Sequence, residues 1–171
     1  MRWDHSTLRG FPRAGQSPLF LRLIRPEDRQ HLDPSRLSQA SQIHRFMSPK
    51  PRLTGRELRY LTEVDEQDHL ALVAFERVDG VDLGLGVARF IRVSPETAEL
   101  AVTIADDIQG RGLGSLLFRE LISAAGERGV RTMEAWVMAE NTPALRMVRR
   151  ALPHAAETAD GALRYFTARL G

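Results

Sequence analysis

Apolar and polar residues change period several times along this chain, and each change marks an element. Leu19 to Arg25 alternates as a strand does. Pro26-Glu27-Asp28 then opens a short helix, with its proline and acids where a first turn tolerates them, and Asp33-Pro34 repeats the device for a helix reaching about Phe46. Ser48-Pro49-Lys50-Pro51 reads as a stiff loop. Thr54 and Glu57 have the spacing of a capping box, which starts another helix to about Thr62. From His69 to Arg77 the chain is rich in Val, Leu, Ala and Phe, Asp79-Gly80 marks a tight turn, and Leu83 to Val93 completes a hairpin. Ser94-Pro95-Glu96 turns the chain again into the strand Ala98 to Ala105.

The period then switches to that of a helix. Leu113, Leu116, Leu117, Leu121, Ala124 and Ala125 fall on one face of an element that starts near Gly112 and ends near Gly129. Thr132 to Ala139 returns to alternation, with Met133, Ala135 and Val137 on one side and Glu134, Trp136 and Met138 on the other. A helix from about Thr142 to Ala151 and a hairpin turning at Asp160-Gly161 complete the order, the last strand running from Ala162 to Arg169. Residues 1–17 mix Gly, Pro, Arg and Ser without periodicity and read as a flexible lead-in, which leaves residues 18–171 as one domain.

Composition narrows the function classes. The 171 residues, 43% hydrophobic and 27% charged, suit one globular domain with a sizeable core and leave none over for a fused regulatory domain. No apolar run reaches the roughly 20 residues of a membrane span, and the N-terminus lacks the apolar stretch of a signal peptide, so a cytoplasmic protein with no membrane partner is expected. The absence of cysteine excludes disulfides, cysteine-metal sites and an acyl-cysteine intermediate, and nothing calls for a metal. A net charge of +2, with basic residues scattered, gives no nucleic-acid-binding surface. Arg146, Arg149 and Arg150 share one side of the late helix, where a solvated face is the favoured reading over a phosphate site.

The chemistry concentrates at Gln109-Gly110-Arg111-Gly112-Leu113-Gly114, between the strand ending at Ala105 and the long helix. Glycines in such a turn let the backbone approach a ligand, and the first free NH groups of the helix point at it with the positive end of the dipole behind them. No Lys follows, which argues against a Walker loop. Ser115 and Leu117 stand where either register of a dinucleotide fingerprint needs Gly or Ala. What remains is Gln-x-x-Gly-x-Gly.

The stretch from Ala98 to Gly114 resembles the acetyl-CoA signature of the GNAT superfamily of N-acetyltransferases, and the order of elements extends the likeness from about Leu19 to Leu170. The resemblance implies an α/β (α+β) fold: a mixed, mostly antiparallel sheet flanked by helices, with two central parallel strands that splay apart. It implies acetyl-CoA as co-substrate, with Val102, Thr103 and Ile104 along the pantetheine arm. The NH groups of Gly110, Gly112, Leu113 and Gly114 and the Arg111 side chain would meet the pyrophosphate, and Gln109 would fix the loop. In the family's Asn-x-x-Ala-x-x-x-Tyr pattern, Asn141 and Ala144 match but Val148 replaces the tyrosine that protonates the departing thiolate. Water is then the expected acid. Asn141 reads equally as a cofactor contact and as a helix N-cap.

A thioester attacked by an amine needs a base, because an amine of pKa near 10.4 is neutral only about once in a few thousand molecules at pH 7. Glu99 is the candidate, on the strand that carries the arm and among apolar neighbours Ala98, Leu100, Ala101 and Val102 that would raise its pKa. Glu134 is the second choice. Bacterial protein-lysine acetyltransferases of the superfamily carry a similar Ala-Glu-x-Ala-Val stretch, which implies a protein-lysine acceptor. A small-molecule amine and a non-catalytic acetyl-CoA sensor are the alternatives. The acidic run Glu63, Asp65, Glu66 and Asp68 could attract a cationic acceptor but reads better as a solvated loop, and His69 as a strand-edge residue. A homo-oligomer is compatible with the sequence, which does not specify one.

Overall fold

A computed structural model describes residues 3–13, 16–32, 34–46, 48, 50 and 52–171. Eight strands form one sheet in the order β1-β2-β3-β4-β5-β6-β8-β7. They are β1 (Arg9–Arg13), β2 (Gln16–Leu23), β3 (His69–Val78), β4 (Val81–Ser94), β5 (Thr97–Ile104), β6 (Thr132–Met138), β7 (Ala156–Asp160) and β8 (Leu163–Arg169). Every pairing is antiparallel except β5 with β6. The helices are α1 (Gln39–Phe46), α2 (Gly55–Thr62), α3 (Leu113–Glu127) and α4 (Thr142–Ala151), with short 3-10 segments at Pro26–Leu32, Pro34–Arg36 and Asp106–Ile108. This is the mixed, mostly antiparallel sheet that the order of elements led us to expect. None of the described helices is long and apolar enough to cross a membrane.

The core lies on both faces of the sheet. On one, α3 buries Leu113, Leu117, Phe118, Leu121, Ala124 and Ala125 against Leu70, Leu72, Phe90, Ala98, Leu100, Met133 and Phe166. At about 1.5–3 kcal/mol for each large side chain withdrawn from water, this layer dominates the stability of the fold. On the other, Ile24, Ala71, Val73, Phe75 and Val87 form a smaller cluster with Leu32 and Val64. The central strand β3 is therefore buried on both sides over its first seven residues. At α2 the Thr54 hydroxyl accepts from Glu57 N and the Glu57 carboxylate accepts from Thr54 N, completing the capping box.

Two sequence expectations need correction. The flexible lead-in is structured wherever it is described: Arg9–Arg13 is an edge strand, and Trp3 is fully buried. The Trp3 backbone NH donates to Glu127 (3.3 Å), its carbonyl accepts from Arg128 (2.8 Å), and the Arg9 guanidinium covers the indole at 4.2 Å while pairing with the buried Glu120. Glu120, Glu127 and Arg128 lie more than a hundred residues away from their partners in the chain, so no local period announces them. Met1, Arg2, Ala14 and Gly15 fall outside the described residues.

The helix expected to run unbroken to Phe46 is divided into a 3-10 turn and α1. Ser38 restarts it. Its hydroxyl accepts from Ser41 N (3.2 Å), and its own NH donates to Asp106 (2.8 Å), so the carboxylate just beyond β5 sets where α1 begins. Asp33 of the expected Asp33-Pro34 start, and Pro49 and Pro51 of the expected stiff loop, lie outside the described residues.

Candidate active site

The parallel strands β5 and β6 share three rungs, Thr97 with Thr132, Ala98 with Met133 and Glu99 with Glu134, and then part. Beyond Glu99, β5 stays paired with β4 as far as Ile104, and β6 with β8 as far as Met138. Their facing edges diverge. The backbone of Val102, Thr103 and Ile104 thus borders an opening in the sheet where a ligand can pair as an added strand.

The glycine loop lies at the end of this opening. Gly110 (φ 76°) and Gly112 (φ 84°) adopt left-handed conformations that cost another residue about 1–2 kcal/mol. Gly112 is the N-cap of α3 and provides no side-chain cap, so the first NH groups of the helix are left for a ligand. At Gly114 the reason for glycine differs: a Cβ there would lie 2.8 Å from the Met147 sulfur, so its absence lets α4 close on α3. The Gln109 amide nitrogen donates to Ile104 O (3.1 Å) and Asp106 (2.9 Å), fastening the loop to the end of β5.

Together these elements line a groove of about 400 Å³ that also includes Asn141, Arg146 and Arg150. Uncapped NH groups, left-handed glycines and two arginines fit a diphosphate.

The predicted residues do not all meet there. Arg111 lines a neighbouring depression with Phe11, Arg13 and Leu19. The Leu113 side chain is core, so its backbone alone faces the groove. Asn141 both lines the groove and caps α4, accepting from Ala144 N (3.2 Å). All three arginines of the late helix are exposed, as the solvated-face reading expects: Arg149 pairs with Glu157 (2.7 Å), while Arg146 and Arg150 also border the groove. Val148 is 2% exposed, packed into the core where no proton donor could act on a thiolate.

On the other face of β5 and β6, Glu99 and Glu134 sit on the same rung, and Trp136 follows on β6 with Tyr165 opposite it on β8. The two rings lie 4.6 Å apart, and Trp136 is 38% exposed. The Tyr165 hydroxyl is hydrogen-bonded to Glu134, whose charge, with partial burial and the more distant Glu99, pushes the phenol pKa up. The expected apolar surroundings of Glu99 are absent. Alternation in β5 turns Ala98 and Leu100 to the α3 face and leaves Glu99 exposed on this one.

The acidic run is a loop in which Glu63, Asp65 and Asp68 are exposed, as expected, and its carboxylates are engaged within the chain. Glu63 pairs with Arg29, Glu66 with His5 and Asp68 with Arg92, and Asp65 accepts the NH groups of Gln67, Asp68 and His69, which hold its pKa down. His69 is buried next to Arg89, and both effects lower its pKa to about 4. Its Nε2 accepts from Arg89 Nη1 (2.9 Å), as a neutral ring can. Burial, and the charge of Arg45, bring Arg89 down to about 9. Sequence reasoning passed over Arg45, Arg89, Trp136 and Tyr165. The pair on β6 and β8 was within reach of a register argument, whereas the arginines meet only through tertiary packing.

A family model described as "Acetyltransferase (GNAT) family" matches residues 37–152. The chain is 36% identical over 118 residues to Acetyltransferase PA5475 of Pseudomonas aeruginosa, covering 67% of this chain and 63% of that one. It is 35% identical over 135 residues to Acetyltransferase Pat of Mycolicibacterium smegmatis, covering 77% of this chain and 40% of that one. The chain therefore spans less than two thirds of the length of either relative. Among solved structures, the GNAT domain of S. lividans PAT superposes with a TM-score of 0.84 over 95% of this chain and 97% of that one, at 24% identity. The splayed parallel pair, the glycine loop and the family match agree, and the chain belongs to the GNAT acetyltransferase family.

Proposed function

We propose that the chain is an N-acetyltransferase that moves an acetyl group from acetyl-CoA to a primary amine while both substrates are bound, with a protein lysine as the leading acceptor. One observation carries the reading: β5 and β6 part just beyond Glu99, and the glycine loop and uncapped start of α3 follow the end of β5. Acetyl-CoA supplies the thioester, which is the activated acyl group. Gly110 to Gly114 with Arg146 and Arg150 would hold its diphosphate, and Val102 to Ile104 its arm.

Glu99 is exposed on the last shared rung, so an incoming ammonium reaches it without crossing the core. It takes the proton that the amine must lose before attack. Glu134 adds a second negative charge, and Trp136 with Tyr165 provides an aromatic wall suited to the stem and cationic head of a lysine. Because Val148 is buried, the thiolate takes its proton from water, which a leaving group of pKa near roughly 8.5 tolerates. The likeness of Ala98 to Val102 to the corresponding stretch of bacterial protein-lysine acetyltransferases supports a protein acceptor.

The same buried Val148 favours a second reading, a domain that binds acetyl-CoA without turning it over. Thiol release separates the two. Acetyl-CoA with a panel of lysine-bearing proteins should liberate free CoA, and binding without release would leave the sensor.

A further inference from the structure

Under α1, on the face of the sheet away from α3, Arg36, Arg45 and Arg89 line one cavity of about 60 Å³ with His31 and Thr103. That is room for about four to six waters, or for one small polar group. Arg36 is accounted for by Gly84 O and by Asp107 at 3.2 Å. The other two guanidiniums are not. Arg89 is 4% exposed and, among the described residues, donates to two neutral acceptors, Leu61 O (3.1 Å) and His69 Nε2 (2.9 Å). Arg45 has the Phe46 ring at 5.1 Å, and among the described residues no carboxylate comes within ion-pairing distance of it.

Each of the two suffers from burial, Arg45 further depresses Arg89, and only the more distant Glu99 and Tyr60 favour their charge. Two repelling cations without a counter-ion are costly to hold in a fold unless an anion joins them. A route to them exists. A pocket of about 100 Å³ shares Arg45 and Thr103 with this cavity, and Val102, Ile104, Gln109 and Asn141 with the groove along α3.

We infer that this cavity is a carboxylate site in which Arg45 and Arg89 grip the end of a substrate, either a dicarboxylic acyl chain carried on CoA or the carboxylate of an amino-acid acceptor. The inference rests on the transferase reading for the acyl carrier, and extends it to a specificity pocket that the acetyl group alone does not use.

Two matched pairs of probes test it. Succinyl-CoA and butyryl-CoA differ in a carboxylate for a methyl and are compared by calorimetry. L-lysine and cadaverine differ in one carboxylate and are compared as acceptors by thiol release from acetyl-CoA. A charge-assisted contact should favour the carboxylate-bearing member of one pair by about tenfold or more. The first pair would assign the site to the acyl chain, the second to the acceptor.

Arg45→Gln should abolish the preference, leave acetyl-CoA affinity unchanged, and fold, since it orphans no hydrogen-bond partner. Arg45→Lys should restore part of it. Parity within both pairs, or a preference that survives Arg45→Gln, overturns the inference while the transferase reading stands. Failure of acetyl-CoA itself to bind sinks both.

Discussion

The claim that the start of α3 grips a diphosphate can be tested by adding a single methyl group. Gly112 has φ 84°, and a Cβ built there meets nothing within 4 Å, so Gly112→Ala introduces conformational strain without a clash. That strain is about 1–2 kcal/mol. If the unliganded loop relaxes to relieve it, binding must restore the left-handed turn, and affinity for CoA should fall by about 5- to 30-fold. Gly161, in the turn between β7 and β8, has φ 55° and equally open surroundings, so Gly161→Ala carries comparable strain far from the groove. Calorimetry with CoA, alongside thermal melting, separates the effects. Gly161→Ala should lose about 2–8 °C in Tm, at roughly 2–4 °C per kcal/mol for a chain of this size, and Gly112→Ala less, by as much as its unliganded loop relaxes. Only Gly112→Ala should bind CoA more weakly. Wild-type affinity in Gly112→Ala would place the diphosphate elsewhere, and an equal loss in Gly161→Ala would show a global effect with no bearing on the loop.

Further outcomes follow from the other parts of the structure. Glu99→Gln should slow thiol release by about 10²-fold or more while CoA affinity stays within error, and equal rates would remove Glu99 from the mechanism. His69, at about 4 in the folded chain against roughly 6.5 unfolded, is protonated first in the unfolded state, so its stabilising contribution is complete above pH 6.5 and is lost as pH falls toward 4. Denaturation at pH 7 and pH 5 should show a loss of about 1.4 kcal/mol per unit below 6.5 that His69→Gln, which keeps an acceptor for Arg89, largely removes; an unchanged slope would refute it. Trp3→Ala should destabilise the fold by about 3–5 kcal/mol in urea titration, whereas a true flexible lead-in would give almost no change.

What could be read from the sequence followed the range of the forces involved. The strands β2 to β6, the α3 face and the closing hairpin rest on period and turn residues within a few positions of each other, and the loop Gln109 to Gly114 rests on local backbone demands. The segment from Trp3 to Arg13 did not yield to that logic because its order comes from Glu120, Glu127 and Arg128. The same limit explains Glu99. Its neighbours in sequence are apolar, but strand alternation sends Ala98, Leu100 and Val102 to the opposite face, so composition along β5 misstated the environment in space. Arg45 and Arg89 stand 44 positions apart, and nothing local in either stretch foretells that they share one cavity.

The sheet also has a mechanical side. Among the described residues, three rungs and the bond from Arg131 N to Glu96 O make the backbone link between the five strands β1 to β5 and the three strands β6 to β8, with α3 as the splint across them. A molecule lodged in the cleft would stitch this seam, adding bonds to β5 where β6 has turned away. Occupancy and cohesion then become one quantity, and raising the free ligand to a hundred times its dissociation constant should tighten the protein by about 2.7 kcal/mol. Amide exchange in β6 and β8 would slow in step with saturation of the cleft, so that the resistance of the C-terminal strands to unfolding serves as a gauge of acyl-carrier supply.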